Sequence, residues 1–208
     1  MSHAGHNALP FPEGEGDESG IGFAQRVRQV PDWILYPWRR HSAVAALTNR
    51  PRPDTLLTVC HGNICRSPFA AAVLAQTLPG VRVSSAGFIG PGRSAPDEAI
   101  AAAARYHIDL APHRSRVLTA EVVRAATIIV TMDVIQRREI RERFGRADRD
   151  LFVLGDFDPE STDARTIRDP VSQPLPVFEE VYARIVRCAR GLERIIGPTL
   201  PQRHAAPR

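Results

Sequence analysis

From Thr55 onward the chain alternates short apolar runs with longer amphipathic stretches, a rhythm that predicts an α/β fold: a mainly parallel sheet covered by helices on both faces. The run ending at Cys60 (residues 56–60) is leucine-rich and β-branched, as a strand buried on both sides should be. A first helix follows over residues 68–78, then a second strand over 81–85 and a glycine-rich loop over 87–94. Asp97 and Glu98 place negative charge in the first turn of a helix reaching Tyr106. A third helix starts near Thr119, a third strand spans 127–132, and a fourth helix runs to Phe144 with Gly145 as its stop. Residues 151–154 make a fourth strand. The last helix, 177–196, has the sharpest pattern: Phe178, Val181, Tyr182, Ile185, Ala189, Leu192 and Ile196 share one face. Arg184, Arg187, Arg190 and Arg194 share the other, which reads as solvated, and Cys188 falls at the edge of the apolar face as a packed thiol.

The first fifty residues follow a different pattern. Residues 1–20 hold Gly, Glu, His, Pro and Ser with few large apolar groups and are expected to be a disordered tail, as are residues 198–208. Residues 21–53 form an aromatic extension of unassigned role, with Phe23, Val27, Val30, Trp33, Ile34, Leu35, Tyr36 and Trp38. Pro31 and Pro37 should break any long helix there, leaving one or two short ones, one over 41–48. The cluster is expected to dock on the domain that follows, residues 54–197, because exposed tryptophans are costly.

Composition narrows the class. With 208 residues, 43% of them hydrophobic, the chain can bury one substantial core. Its net charge of +4 comes with 27 basic residues that are all arginine, a compositional bias, and no interleaved aromatic platform accompanies them. Nucleic-acid binding is therefore not expected. Three cysteines argue against a disulfide-stapled secreted fold. The absence of a membrane-length apolar run or a basic, then apolar, leader makes a cytoplasmic protein the expectation.

The chemistry concentrates between the first strand and helix, in Cys60-His61-Gly62-Asn63-Ile64-Cys65-Arg66-Ser67-Pro68. Ser67-Pro68 reads as an N-cap followed by proline at the first helical position. Gly62 and Asn63 tolerate unusual backbone angles, so the loop can curl its N–H groups inward at a helix N-terminus and hold an anion of phosphate size. That setting favours the Cys60 thiolate as a nucleophile, while Arg66 can bind two phosphoryl oxygens and Ser67 can hydrogen-bond the sulfur. Cys188 and Arg194 repeat the same Cys-x5-Arg spacing, but no strand precedes them.

This stretch resembles the signature loop of the low-molecular-weight protein tyrosine phosphatases. Further stretches resemble the family in the same order: residues 83–87, 112–116, 128–133, 154–159 and 168–170. The resemblance implies a four-stranded parallel sheet of flavodoxin-like order 2-1-3-4 in a three-layer sandwich. It implies phosphate binding by His61, Gly62, Asn63, Ile64, Cys65, Arg66 and Ser67, and catalysis by Cys60, Arg66 and Asp169. Of the two Asp-Pro pairs, Asp158-Pro159 and Asp169-Pro170, the family's general acid lies in the one just before the last helix. Asn63, Ser67, Ser85 and His113 would support the loop, and Cys65 could form a reversible disulfide protecting Cys60. No cofactor or metal is implied. The substrate class would be a phosphotyrosine protein, with a bacterial tyrosine kinase or exopolysaccharide-export regulator as the partner type.

Two departures bear on specificity. Val171-Ser172 follows Asp169-Pro170 where the family commonly has a ring-stacking aromatic, so Phe88 becomes a candidate wall; His61 replaces a usually apolar residue. Related arginine phosphatases carry threonine where Ile64 stands, and arsenate reductases of this fold need another cysteine pair. A phosphate-binding module without turnover is the alternative from a different class.

Overall fold

The computed structural model describes residues 32–160 and 165–197, with side chains from Pro37 onward. The expected tails at 1–20 and 198–208, and the part of the aromatic extension before Asp32, lie outside the described residues.

The sheet is built outward from β1 (Thr55–Cys60). It pairs in parallel with β2 (Arg82–Gly87) on one side and β3 (Ile128–Thr131) on the other, and β4 (Leu151–Val153) adds to β3. The order is β2-β1-β3-β4. Because successive strand residues face opposite ways, β1 feeds two cores. Leu56 and Cys60 join Val130 and Phe152 against α2 (Arg66–Thr77), α3 (Asp97–Ala104) and α6 (Leu175–Ile196). Leu57 and Val59 join Ile129 and Leu151 against Val123 of α4 (Ala120–Ala125) and Ile140 of α5 (Val134–Phe144). Burial on both faces explains the apolar runs of β1, β3 and β4.

Local signals fix the helix ends. The Thr119 hydroxyl accepts from Val122 N and starts α4; the Asp133 carboxylate accepts from Gln136 N at 2.7 Å and starts α5. Gly145 ends α5 at φ 63°. At α2 the outcome differs from the capping signal. The helix begins at Arg66 with Cys65 as N-cap, and Ser67 lies inside the first turn. Its hydroxyl is committed to the loop described below rather than to a cap.

The extension contains one continuous helix, α1 (Asp32–Thr48), that carries Pro37 in its interior, where shorter helices broken at that proline were expected. Proline's φ suits a helix, but in the interior its ring removes one backbone bond and crowds the carbonyl four residues earlier. Tertiary anchors offset that loss: Leu47 is buried in the first core, and the Arg40 guanidinium donates to the Asp158 carbonyl. Trp38, by contrast, is 68% exposed and does not dock.

Asp158 also corrects the reading of α6. Its fully buried carboxylate accepts from Arg187 at 2.7 and 3.1 Å and from Arg184 at 3.2 Å, so half of the arginine stripe is ion-paired while Arg190 and Arg194 stay exposed. Burial alone would raise the Asp158 pKa, but the bonds from Arg187, Glu160 N and Arg184, with the Arg187 charge, hold it below the usual carboxylate range. The unfolded chain therefore binds more protons in acid, and this stabilisation is complete above about pH 4 and lost as pH falls through the lower folded value. Asp158→Ala is expected to cost about 3 kcal/mol in urea unfolding at pH 7, with a smaller penalty below pH 3. No described helix is long and apolar enough to cross a membrane.

Candidate active site

The carboxyl edge of the sheet is where open α/β folds bind ligands, and β1 delivers Cys60 to it. Between Cys60 and α2 the backbone turns sharply at Asn63, whose φ of 50° is left-handed. Asparagine tolerates that angle, and here both ends of its amide are used. Asn63 Nδ2 donates to Ser67 Oγ at 2.9 Å, and Asn63 Oδ1 accepts from Arg116 N at 2.8 Å. Ser67 Oγ in turn donates to Cys60 Sγ at 3.0 Å. His113 Nε2 lies 2.7 Å from the Asn63 carbonyl, which can only accept, so that nitrogen carries the proton. The result is a relay of oriented donors ending on sulfur.

Three further supports are absent from the site residues expected from sequence. Thr58 Oγ1 donates to the Ser67 carbonyl at 2.8 Å from inside β1; a hydroxyl in the middle of an apolar strand was the available signal. Tyr182 OH, on α6, donates to the Cys65 carbonyl at 3.1 Å, and burial raises its pKa so that it remains a donor. Gly87, at the end of β2, leaves room for the loop. A Cβ there would stand 2.7 Å from Asn63 N and 2.8 Å from the His61 carbonyl. Ser85 sits opposite Thr58 in the β1–β2 register, and its side chain makes no hydrogen bond among the described residues; Thr58 fills the role expected of it.

Gly87→Ala is consequently expected to displace the loop backbone, since contacts this short to main-chain atoms cannot be kept. Since a misplacement of about 1 Å costs about 10²-fold, kcat/KM should fall by up to that order while circular dichroism stays native.

Arg66 is 3% exposed and faces the segment before α6. Its Nη1 donates to the Ile167 carbonyl at 3.0 Å, its Nη2 donates to the Asp169 carboxylate, and Asp133 lies 4.0 Å away. Its Nε is buried without a partner, a donor left over for an incoming oxygen. Asp169 is brought to the loop, whereas Asp158 is held by α6. Asp169 remains 46% exposed, and its second oxygen accepts from Val171 N at 3.2 Å.

Around the site, Ile64 is buried and His61 exposed. Phe88 is not a free wall: it packs against the second core, with the Arg143 guanidinium 5.8 Å over its ring. The exposed apolar side chains on the neighbouring segments are Ile89 and Val171, at 43% and 42%. Burial, then the Cys60 and Asp169 charges, pushes the Cys65 pKa up to about 12, and burial does the same for Cys188. Both are thiols at neutral pH, and all three cysteines are free.

A strand-borne cysteine, an arginine closing the same loop, and an aspartate opposite them thus converge at the carboxyl edge of the sheet. A family model described as low molecular weight phosphotyrosine protein phosphatase matches residues 55–199, and the chain belongs to that family. Its relatives include a probable low molecular weight protein-tyrosine-phosphatase EpsP of Ralstonia nicotianae, 43% identical over 64% of this chain and 89% of its own. Among solved structures, the YwlE arginine phosphatase of Geobacillus stearothermophilus is similar at 36% identity and TM-score 0.62, covering 68% of this chain and 92% of its own. The tyrosine phosphatase Wzb of Escherichia coli K30 with sulphate aligns at 25% identity and TM-score 0.64, covering 70% and 99%. The protein is a phosphatase.

Proposed function

We propose that the protein is a protein-tyrosine phosphatase working through a cysteinyl-phosphate, with Cys60 as nucleophile and Asp169 as general acid and base. The observation that carries this reading is the convergence of Cys60, Arg66 and Asp169 on one loop while Asp158 is engaged elsewhere.

In the first step the Cys60 thiolate forms the S–P bond as the P–O bond to the tyrosine breaks, and Asp169 gives its proton to the leaving oxygen. In the second, water forms a new P–O bond, its proton passes to Asp169, and the S–P bond breaks. The Ser67 hydroxyl stabilises the departing thiolate. Arg66 and the loop N–H groups hold the phosphoryl oxygens throughout. A phosphate arriving at Arg66 competes with Asp169 for the same guanidinium, which releases the acid toward the leaving group. Cys65, buried under the same loop, is the proposed redox partner of Cys60.

The substrate is a phosphotyrosine protein of the cytoplasm, and by family resemblance a bacterial tyrosine kinase or an exopolysaccharide-export regulator is the proposed partner type. A second reading, arginine phosphatase, draws on the similarity to YwlE. Ile64 weighs against it, because its extra branched carbon crowds a phosphoguanidinium more than threonine would. Hydrolysis of matched phosphotyrosine, phosphoserine and phosphoarginine peptides tests both. Preferred turnover of phosphotyrosine supports the proposal, and preferred turnover of phosphoarginine overturns it.

A further inference from the structure

One cation beside the phosphate loop has no role in the steps above. Arg93 belongs to the loop between β2 and α3, and its Nη1 lies 3.2 Å from where a side chain on Gly62 would begin. Its stem folds over Gly90, where a Cβ would meet Arg93 Cδ at 2.6 Å; Gly90 has φ 56°. The buried Ser115 clamps the backbone from both sides. Ser115 Oγ accepts from Arg93 N at 2.9 Å and donates to the Gly90 carbonyl at 2.5 Å, and Ser115 N donates to the Arg93 carbonyl at 2.9 Å. A flexible side chain is thus carried on a fixed backbone, next to the glycine of the phosphate loop.

No hydrogen bond or ion pair engages this guanidinium among the described residues, whereas Arg66, Arg165, Arg184 and Arg187 all have carboxylate partners. The residue is exposed, so its charge faces the approach to the loop. Its field reaches the buried Cys65 thiol, a sign of its closeness to the site. The acidic groups nearest the site, Asp133 and Asp169, both lie against Arg66. A planar, permanently charged fork in this position matches a carboxylate on the substrate.

We propose that Arg93 is a specificity-determining residue that binds an acidic side chain flanking the phosphotyrosine, so that the preferred substrate is an acidic phosphotyrosine peptide. The proposal rests on the phosphatase reading above. An exposed charge pair contributes up to about 1 kcal/mol, equivalent to about fivefold in kcat/KM.

The test compares two phosphotyrosine peptides, one with glutamates and one with glutamines beside the phosphotyrosine, hydrolysed by wild type, Arg93→Ala and Arg93→Lys. Wild type is expected to favour the acidic peptide about fivefold through KM, less at 0.5 M salt. Arg93→Ala should bring the ratio to about one, with Arg93→Lys in between. Turnover of both peptides at a ratio that Arg93→Ala leaves in place overturns the role of Arg93 but not the phosphatase reading. No turnover of either peptide by wild type overturns both.

Discussion

Cys60→Ser is expected to lower kcat toward a phosphotyrosine peptide by about 10⁴-fold or more, because a serine hydroxyl is far less acidic than a thiol and supplies no comparable anion at neutral pH. The substitution is nearly isosteric, and a serine oxygen can still accept from Ser67 Oγ, so the loop geometry should survive. Binding is then preserved while chemistry stops. Phosphopeptide affinity by calorimetry, set beside steady-state rates, checks this: normal binding with no turnover is the expected pair of results. Residual turnover within tenfold of wild type would remove Cys60 from the mechanism.

Asp169→Ala is expected to reduce kcat about 10²- to 10³-fold for phosphotyrosine, the usual scale for losing a positioned acid. The loss should shrink markedly for an aryl phosphate whose phenol is acidic enough to depart unprotonated. That leaving-group dependence separates an acid from a mere anchor of Arg66, since an anchor would slow both substrates alike. The matching control is Asp158→Ala, which should reduce stability with a smaller effect on kcat. The two Asp-Pro pairs are thereby told apart by different observables.

The parallel sheet was legible because β1, β3 and β4 are short apolar runs, and the helix ends at Thr119 and Gly145 because capping chemistry is local. That Cys60 and Arg66 share one loop was legible for the same reason: they lie within seven residues of one another. What could not be read is carried by long-range approach. Thr58, Tyr182 and Gly87 support the loop from β1, α6 and β2, and apart from the lone hydroxyl of Thr58 in an apolar strand nothing in their own neighbourhoods announces it. Asp158 and Asp169 each precede a proline, a pairing that does not choose between them; resemblance alone pointed to Asp169, and the placement of Arg184 and Arg187 on α6 shows what holds Asp158. Ser67 shows the opposite failure. Its position fits a helix cap, yet the sulfur and Asn63 claim the hydroxyl. Pro37 was a sound local signal that anchoring of α1 overrode.

The close passage of the loop over Gly87 also affects how a mutational survey of this protein should be interpreted. If every substitution were scored for activity, Gly87 would rank with Cys60 and Arg66 among the intolerant positions, although it offers no side chain to a substrate. Such a position is a spacer: its intolerance reports the room that the backbone of residues 61–63 needs, not contact with a substrate.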